Sequence, residues 1–369
     1  MEARRIRSFA LGRTRAGRIF EAFWSASHMS SQPFDDVAQL TLTNVPSEHM
    51  SIAQHSNKHW KHCELKPFAP IEMSPLALGL HYAQIVFEGM KAYRYDNGDV
   101  AVFRIEKHHE RFNKSLTRMC MPTIPLEHFR EGIIGLVRAD RSWVPPGPDS
   151  AYYIRPFVIA SEERMGIKVS DDYLYMVVGG PFRPLYARPL RVRIERVFAR
   201  AVSGGTGFAK CAGNYAAAML PTQLAQREGF DQVIWTDAKD HRVIEESGTM
   251  NVMFVIDGVI VTPSLTDTIL DGVTRESVLT IANDLGLPFS ERLVTVDDLA
   301  QGLRAGRVTE AFGVGTAAAV APIGSIAIDT EEFSLPVLPT DTMFTLKHHL
   351  NAIRYGQAPD AHGWMTVVR

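Results

Sequence analysis

The chain carries the same hairpin signal twice, once in each half. Residues of alternating polarity run through Ala92–Phe103 around Asn97-Gly98, and an apolar pair of runs spans Asn251–Thr262 around Asp257-Gly258. Both dipeptides favour the tight turn that joins two antiparallel strands. Each half of the chain must therefore accommodate an antiparallel pair, which a purely parallel sheet does not contain.

Helical patterns fall between these hairpins. Apolar residues recur at helical spacing in His108–Met119, Glu127–Arg138 and Arg275–Leu285. Ala216–Gln226 also favours a helix, in which we expect a kink at Pro221. Because strands and helices are mixed rather than strictly alternating, the sequence predicts an α+β fold instead of a doubly wound sheet.

The length of the chain and a segment rich in proline and glycine predict two domains. At 369 residues the chain is longer than one hydrophobic core usually supports. The segment 179–189 contains three prolines and two glycines, which discourage any regular element. We therefore predict a poorly ordered, arginine-rich extension at 1–32, a smaller α+β domain at 33–178, a linker at 179–189, and a larger domain at 190–369.

Composition narrows the class of partner. The formal charge is -2, which gives no reason to expect nucleic acid, and no apolar stretch is long enough for a membrane span. Three cysteines lack metal-type spacing, and an odd count suits a reducing compartment, so we expect a cytoplasmic protein that acts on small molecules. The histidines lack matched cysteine or acidic ligands, so we read them as surface or structural residues and predict no metal site.

A lysine among small residues indicates the chemistry. Lys210 lies within Gly204–Gly213, where the backbone can closely approach a flat ligand, and Tyr215 and the acidic run Glu245–Asn251 follow. Pyridoxal phosphate needs a lysine amine for a Schiff base, an acid for its ring nitrogen and a donor near its phenolate oxygen. Alone, the lysine would be a solvated charge and the tyrosine a core aromatic, but together Lys210, Glu246 and Tyr215 supply one of each group.

Two small-residue loops could hold the phosphate. Asp271–Thr274 leads into a predicted helix, whose first backbone amides bind anions well. Gly313–Ala317 is a second loop of this kind, and Arg111 could supply a fixed cation. A glycine before a helix is otherwise only a turn, and an arginine on an amphipathic helix is more often solvated.

Taken in order, these motifs resemble those of the branched-chain amino acid aminotransferases, in the fold-type IV class of pyridoxal phosphate enzymes. Gly79–Tyr93 is similar to the family's first signature, and Tyr153–Pro156 to its second. The lysine, glutamate and glycine-threonine runs follow in the family's order, and Ile353–Gly356 extends the resemblance towards the C-terminus. The resemblance implies two α/β domains with the cofactor cleft between them, the larger domain holding the cofactor, and a homodimer with a shared active site.

The resemblance also implies a role for each matching residue. Lys210 would be the catalytic, Schiff-base lysine. The other cofactor-binding residues would be Arg111, Tyr215, Glu246, Leu270, Gly272, Val273, Thr274, Gly315 and Thr316. The substrate-binding residues would be Tyr82, Phe87, Tyr153, Arg155, Met165, Ile167, Thr249 and Ala317, with Met165 and Ile167 reaching in from the partner subunit.

The implied activity is transamination of leucine, isoleucine and valine with 2-oxoglutarate. Rivals of the same fold are D-amino acid aminotransferase and aminodeoxychorismate lyase, and a rival of another class is a non-catalytic pyridoxal-phosphate-binding protein. The chain departs from some relatives by having Ala318 and Ala321 where they carry a Cys-x-x-Cys redox pair. Thiol regulation of that type is therefore not expected.

Overall fold

A computed structural model describes residues 45–183 and 188–369 of the protein. The predicted extension at 1–32 and the middle of the predicted linker lie outside the described residues. Among the helices within these ranges, none is long and apolar enough to cross a bilayer.

The first sheet is antiparallel throughout, and two helices cover it. Its strands are β1 His49–Ser56, β2 His59–Trp60, β3 Glu64–Pro67, β4 Ile85–Phe87, β5 Met90–Arg94, β6 Val100–Phe103, β7 Ala151–Ala160, β8 Tyr173–Phe182 and β18 Met365–Val368. The order is β18-β6-β5-β7-β8-β1-β2, with β3 on β1 and β4 on β7. Its helices are α1 Leu78–Tyr82, α2 Ile105–Arg118 and α3 Leu126–Ala139. Phe112 and Leu116 of α2 pack with Phe129 and Ile133 of α3 in a core over this sheet.

The second sheet closes on itself. Its strands are β9 Leu190–Ile194, β10 Gln232–Thr236, β11 Ile244–Ser247, β12 Met250–Ile256, β13 Val259–Thr262, β14 Phe289–Glu291, β15 Val308–Gly315, β16 Ala319–Ile328 and β17 Glu331–Ser334. The order is β11-β10-β9-β16-β15-β12-β13-β14, and β11 also pairs with β12, so that β9 to β12 with β15 and β16 form a ring. Its helices are α4 Ala212–Arg227, α5 Val273–Asp284, α6 Val296–Arg304 and α7 Thr342–Arg354.

Both sequence-predicted hairpins form, with different turns. Asp257 and Gly258 both have positive φ, as a two-residue turn between β12 and β13 requires. At the first hairpin only Gly98 of the pair has positive φ, and Tyr95 and Asp99 are joined by a backbone hydrogen bond. The loop there has three residues and ends in a left-handed glycine, which is the next most common hairpin geometry. The α+β class is confirmed.

The predicted linker is wrong at its first residues. Strand β8 continues through Gly179–Phe182, paired with β7 as far as Ala151. Proline is tolerated at Pro181 because the pairing of β8 with β1 ends at Val177, which leaves this part of β8 on an edge. The first sheet thus extends past the predicted boundary at residue 178.

The last strand in chain order joins the first sheet. β18 pairs with β6, from Met365 opposite Phe103 to Val368 opposite Val100. A core cluster also unites the two halves, because Tyr93 and Phe103 pack with residues of α5, α7 and β15. The division into two domains remains a prediction. A domain at 190–369 would not include β18, because β18 belongs to the first sheet.

Candidate active site

A single cavity collects most of the predicted cofactor residues. It is lined by Gly89, Arg111, Tyr153, Lys210, Glu246, Thr249, Met250, Asn251, Leu270, Gly272, Val273, Thr274, Val314, Gly315 and Thr316. These residues come from both sheets and from the start of α5. Segments far apart in the chain therefore meet around one space.

Lys210 is held at the start of α4 by elements of the first sheet. Its backbone amide donates to Ser115 Oγ at 2.9 Å, and its carbonyl accepts from the amide of Phe87 at 3.0 Å. Its Nζ donates to the hydroxyl of Tyr215 at 2.9 Å. Lys210 lies two residues before α4 and Tyr215 lies in its first turn, so the entry of the chain into the helix brings the two side chains together. Helix α4 continues through the buried Pro221, and the expected kink stays a prediction.

Strand alternation places one of the two adjacent glutamates in the cavity. Glu246 lines it, whereas Glu245 turns the other way and accepts a hydrogen bond from Thr268 Oγ1 at 2.6 Å. Glu246 Oε1 accepts from the amide of Leu270 and from Arg200 Nη2, the latter at 3.3 Å. Burial raises the pKa of Glu246, and the guanidinium of Arg200 is the strongest influence in the opposite direction.

Arg111 is fixed by a buried carboxylate. Its Nε and Nη2 donate to the two oxygens of Glu88 at 2.7 and 2.8 Å, and its Nη1 donates to the carbonyl of Asp271 at 2.9 Å. His108 Nδ1 lies 2.8 Å from Glu88 Oε2. Burial acts to raise the pKa of Glu88, but the charges of Arg111 and His108 hold it well below its ordinary value. The arginine is therefore held rigidly, with an ionised partner.

The start of α5 forms an open cradle. Gly272 is its N-cap residue and makes no side-chain cap, so the amides of the first turn point towards the cavity. A side chain at Gly272 would collide with the side chain of Asn251. Thr316 lies at the far end of β15 and also lines the cavity. This combination of backbone amides, a hydroxyl and a nearby arginine suits a phosphate group.

The predicted substrate residues divide into two groups. Tyr153 and Thr249 line the cavity, and Phe87 lies beside it with its ring 4.9 Å from that of Tyr215. Arg155 stacks on the Phe87 ring at 4.6 Å and donates to the Tyr153 hydroxyl at 2.7 Å. Ala317 follows Thr316, and its carbonyl accepts a hydrogen bond from Lys91 Nζ at 3.0 Å.

The second group lies away from the cavity of its own chain. Met165 and Ile167 are 81% and 78% exposed. Tyr82 does not line the cavity, and its hydroxyl donates to the carbonyl of Met165 at 2.8 Å. The structure thus joins Tyr82, the last residue of α1, to the exposed loop that carries Met165 and Ile167.

Comparison with known proteins assigns the family. The family model for amino-transferase class IV matches residues 85–326. Branched-chain-amino-acid aminotransferase 2 of Bacillus subtilis (strain 168) is 39% identical over 344 residues, which cover 92% of this chain and 95% of that protein. The branched-chain-amino-acid aminotransferase of Mycolicibacterium smegmatis is 38% identical over 86% of this chain and 89% of that protein.

The chain belongs to the branched-chain aminotransferases of class IV.

Solved structures show that this aminotransferase has the fold-type IV architecture. The enzyme of Thermoproteus uzoniensis with norvaline superposes with a TM-score of 0.72, at 27% identity, over 87% of this chain and 100% of that one. The enzyme from T.th., complexed with N-(5'-phosphopyridoxyl)-L-glutamate, gives a TM-score of 0.70 at 27% identity, over 86% of this chain and 98% of that one. The predicted fold class and family are confirmed.

Several residues of the aminotransferase site escaped sequence reasoning. Arg200, Glu88 and Lys91 all contact predicted site residues, yet each belongs to a type that is usually solvated. His108 is only 1% exposed, so of the two roles expected for the histidines, surface or structural, it has the structural one. The spacing of His108 and Arg111 on one helix face was the available signal. Among the described residues, no group of His, Cys, Asp or Glu is arranged to hold a metal ion.

Proposed function

We propose that this protein is a pyridoxal-phosphate-dependent aminotransferase that transfers the amino group of L-leucine, L-isoleucine or L-valine to 2-oxoglutarate. The products are the corresponding 2-oxo acids and L-glutamate. The observation that carries the proposal is that Lys210 and Glu246 line one cavity, with Tyr215 hydrogen-bonded to the lysine. The names of the relatives support the branched-chain group over the rivals of the same fold.

The residues present fit this cofactor. The uncapped start of α5 and Arg111 can receive a phosphate dianion at one end of the cavity. At Gly272 a larger residue would disturb Asn251 and close the cradle. Glu246 supplies an acid for a ring nitrogen, and Lys210 supplies an amine. The donor set therefore matches a phosphorylated pyridine aldehyde.

When bound, pyridoxal phosphate supplies an aldehyde that combines with amines and a ring that accepts an electron pair. Lys210 Nζ would hold that aldehyde in the resting enzyme and, once displaced by the amino acid, would remove the α-proton and return it during the same half-reaction. Glu246 would keep a proton on the ring nitrogen, and Tyr215 would donate towards the phenolate oxygen. Its hydrogen bond with Lys210 keeps both groups aligned.

One pocket has to accept both an apolar and an acidic side chain. Phe87 and Tyr153 would provide the apolar wall, with Tyr82 completing it. Arg155 is the candidate for the second carboxylate of glutamate and 2-oxoglutarate, because its buried Nε has no hydrogen-bond partner among the described residues. Thr249 and the amide of Ala317 would receive the α-carboxylate, on the turn that Lys91 secures through the Ala317 carbonyl.

We further propose a cytoplasmic homodimer with a shared active site. The exposed loop that carries Met165 and Ile167 supports the dimer, because apolar side chains so exposed on a loop tethered by Tyr82 mark contact surfaces. The three cysteines are unpaired, in keeping with a reducing compartment.

The activity is tested by amino-group transfer from leucine. We expect the purified protein to show a visible cofactor band that changes on adding L-leucine, and to form glutamate from 2-oxoglutarate with L- but not D-leucine. Lys210→Ala should lower kcat by at least about 100-fold, since it removes the general base. Lys239→Ala, at an exposed loop lysine, is the matched control. Transamination retained by Lys210→Ala would sink the assignment, and activity with D-leucine would favour the D-amino acid enzymes.

A further inference from the structure

Arg200 is a buried arginine behind the candidate active site. Its side chain is 9% exposed, and Nη2 lies 3.3 Å from Glu246 Oε1. The same nitrogen donates to the carbonyl of Gly207 at 3.1 Å and to that of Thr268. One guanidinium therefore joins the loop before Lys210, the loop before α5, and β11.

The electrostatic surroundings of Glu246 make this contact consequential. Burial favours a protonated carboxyl group at Glu246, and Arg200 opposes this most strongly, ahead of the Leu270 amide, Lys210 and Arg111. The neighbouring Glu245 is also buried and adds a second acid, whose pKa burial likewise raises. Removal of the arginine would therefore favour the protonated form of both adjacent acids.

Position matters as much as charge. Glu246 Oε1 accepts hydrogen bonds from Arg200 and from the Leu270 amide. Leu270 lies two residues beyond Thr268, and Arg200 also donates to the carbonyl of Thr268. The arginine thus orders both the carboxylate and the backbone segment that donates to it. Arg200 itself is absent from the residues that line the cavity, so its influence passes through Glu246.

We propose that Arg200 is a positioning residue that holds Glu246 ionised and aimed into the cavity before the cofactor arrives. The ring nitrogen then meets a preformed carboxylate rather than a carboxylic acid. This proposal rests on the proposed function, because it assigns Glu246 to the ring nitrogen of pyridoxal phosphate.

The first test measures how pyridoxamine phosphate binding to the apo-protein depends on pH. In the wild type, affinity should fall at low pH as Glu246 gains a proton. In Arg200→Gln this acidic fall should move upward by about 1–3 pH units, the usual effect of a close opposite charge. In Arg200→Lys, which keeps the charge but loses the planar fork, the acidic fall should occur at a pH between those of the wild type and Arg200→Gln. Glu246→Gln removes the titrating group, so its curve gives the contribution of the ligand's own ionisations.

An unchanged acidic fall in Arg200→Gln, after subtraction of the Glu246→Gln curve, overturns the proposal. Arg193→Gln is the matched control, because Arg193 is paired with Glu228 and Glu195 away from the cavity. Its curve should coincide with that of the wild type.

A second measurement covers the case in which Arg200→Gln folds poorly. If Arg200 acts on the charge of Glu246, the loss of stability caused by Arg200→Gln should be smaller in the Glu246→Gln background, as urea unfolding would show. An equal loss in both backgrounds would mean that Arg200 serves only the carbonyls of Gly207 and Thr268, and would overturn the proposal. Neither measurement involves amino-group transfer, so a failure of the proposed function would be seen separately, in the leucine assay with wild-type protein.

Discussion

Glu88 is a fully buried carboxylate that accepts hydrogen bonds from two residues of the cavity lining, Arg111 and Gly89. It accepts both lateral donors of Arg111 and a third hydrogen bond from His108. Burial lowers the pKa of His108, against the opposing influence of Glu88. The three side chains form a closed network in which each group depends on the others.

We predict that Glu88→Ala lowers the free energy of unfolding by about 3–5 kcal/mol, because it leaves the buried charge of Arg111 without a partner. Urea unfolding of the apo-protein measures this loss. Glu110→Ala, on the helix α2 that also carries His108 and Arg111, is the control, since the Glu110 side chain is 68% exposed and lies 3.8 Å from Lys107. Equal effects of the two substitutions would show that the Glu88 network contributes nothing special to stability.

At this scale the sequence reveals residues that belong to motifs and hides those that support them. Lys210, Tyr215 and Glu246 could be predicted because small residues and turns surround them. Arg200 could not, since its partners Glu246 and Thr268 come from distant segments of the chain. A single arginine before a glycine-rich loop carries no sign that the loop folds back over a carboxylate.

Among the elements, the turn between β10 and β11 determines where Glu246 points. Asp237 organises this turn: its carboxylate accepts the backbone amides of Lys239, Asp240, Arg242 and Val243. Partial burial acts to raise the pKa of Asp237, but the amides, that of Val243 foremost, lower it to about 2.

Because the pKa of Asp237 is depressed in the folded protein, its stabilisation is present above the ordinary aspartate pKa, about 4, and is lost as pH falls towards 2. We predict that Asp237→Asn lowers the unfolding free energy by roughly 1–2 kcal/mol at pH 7, after allowance for solvent screening, and that the difference from wild type disappears at the acid end of that window. Urea unfolding at several pH values measures both effects. Asp96→Asn, at the exposed tip of the first hairpin, should show little change at any of them.

Local elements were accessible to sequence reasoning where a turn or a periodicity defines them. The hairpins at Asn97-Gly98 and Asp257-Gly258 form, and so do all the predicted helices, with ends shifted by a few residues. The strand at Gly179–Phe182 was missed because glycine and proline disfavour strands in isolation, and only its pairing with β7 compensates. The closure of the second sheet likewise depends on pairings between distant segments, such as β9 with β16 and β12 with β15, that no local pattern specifies.

For the whole molecule, the exposed loop that carries Met165 and Ile167 is the feature that a second copy would cover. The loop is tied to its own chain by the Tyr82 hydroxyl and by the amide of Arg164, which donates to the carbonyl of Leu76. It therefore presents apolar side chains from a fixed support, as a preformed contact surface does.

We predict that Ile167→Asp shifts the protein from dimer towards monomer and raises KM for leucine, because a carboxylate would be buried in the subunit contact. Sedimentation velocity reports the mass, and the transamination assay reports KM. Leu338→Asp, at an exposed apolar residue elsewhere, should change neither. A wild-type protein that is monomeric and fully active would rule out a shared active site.

The pairing of β18 with β6 has a consequence for biosynthesis. Strand β6 leaves the ribosome early, whereas its neighbour on the outer side, Met365–Val368, is made only after strands β9 to β17 of the second sheet. Until then the edge of the first sheet remains open on the nascent chain, and an open edge invites pairing with other chains. The first sheet is thus completed only after strands β9 to β17 have been made, which makes its completion, rather than that of the second sheet, the step that translation itself delays.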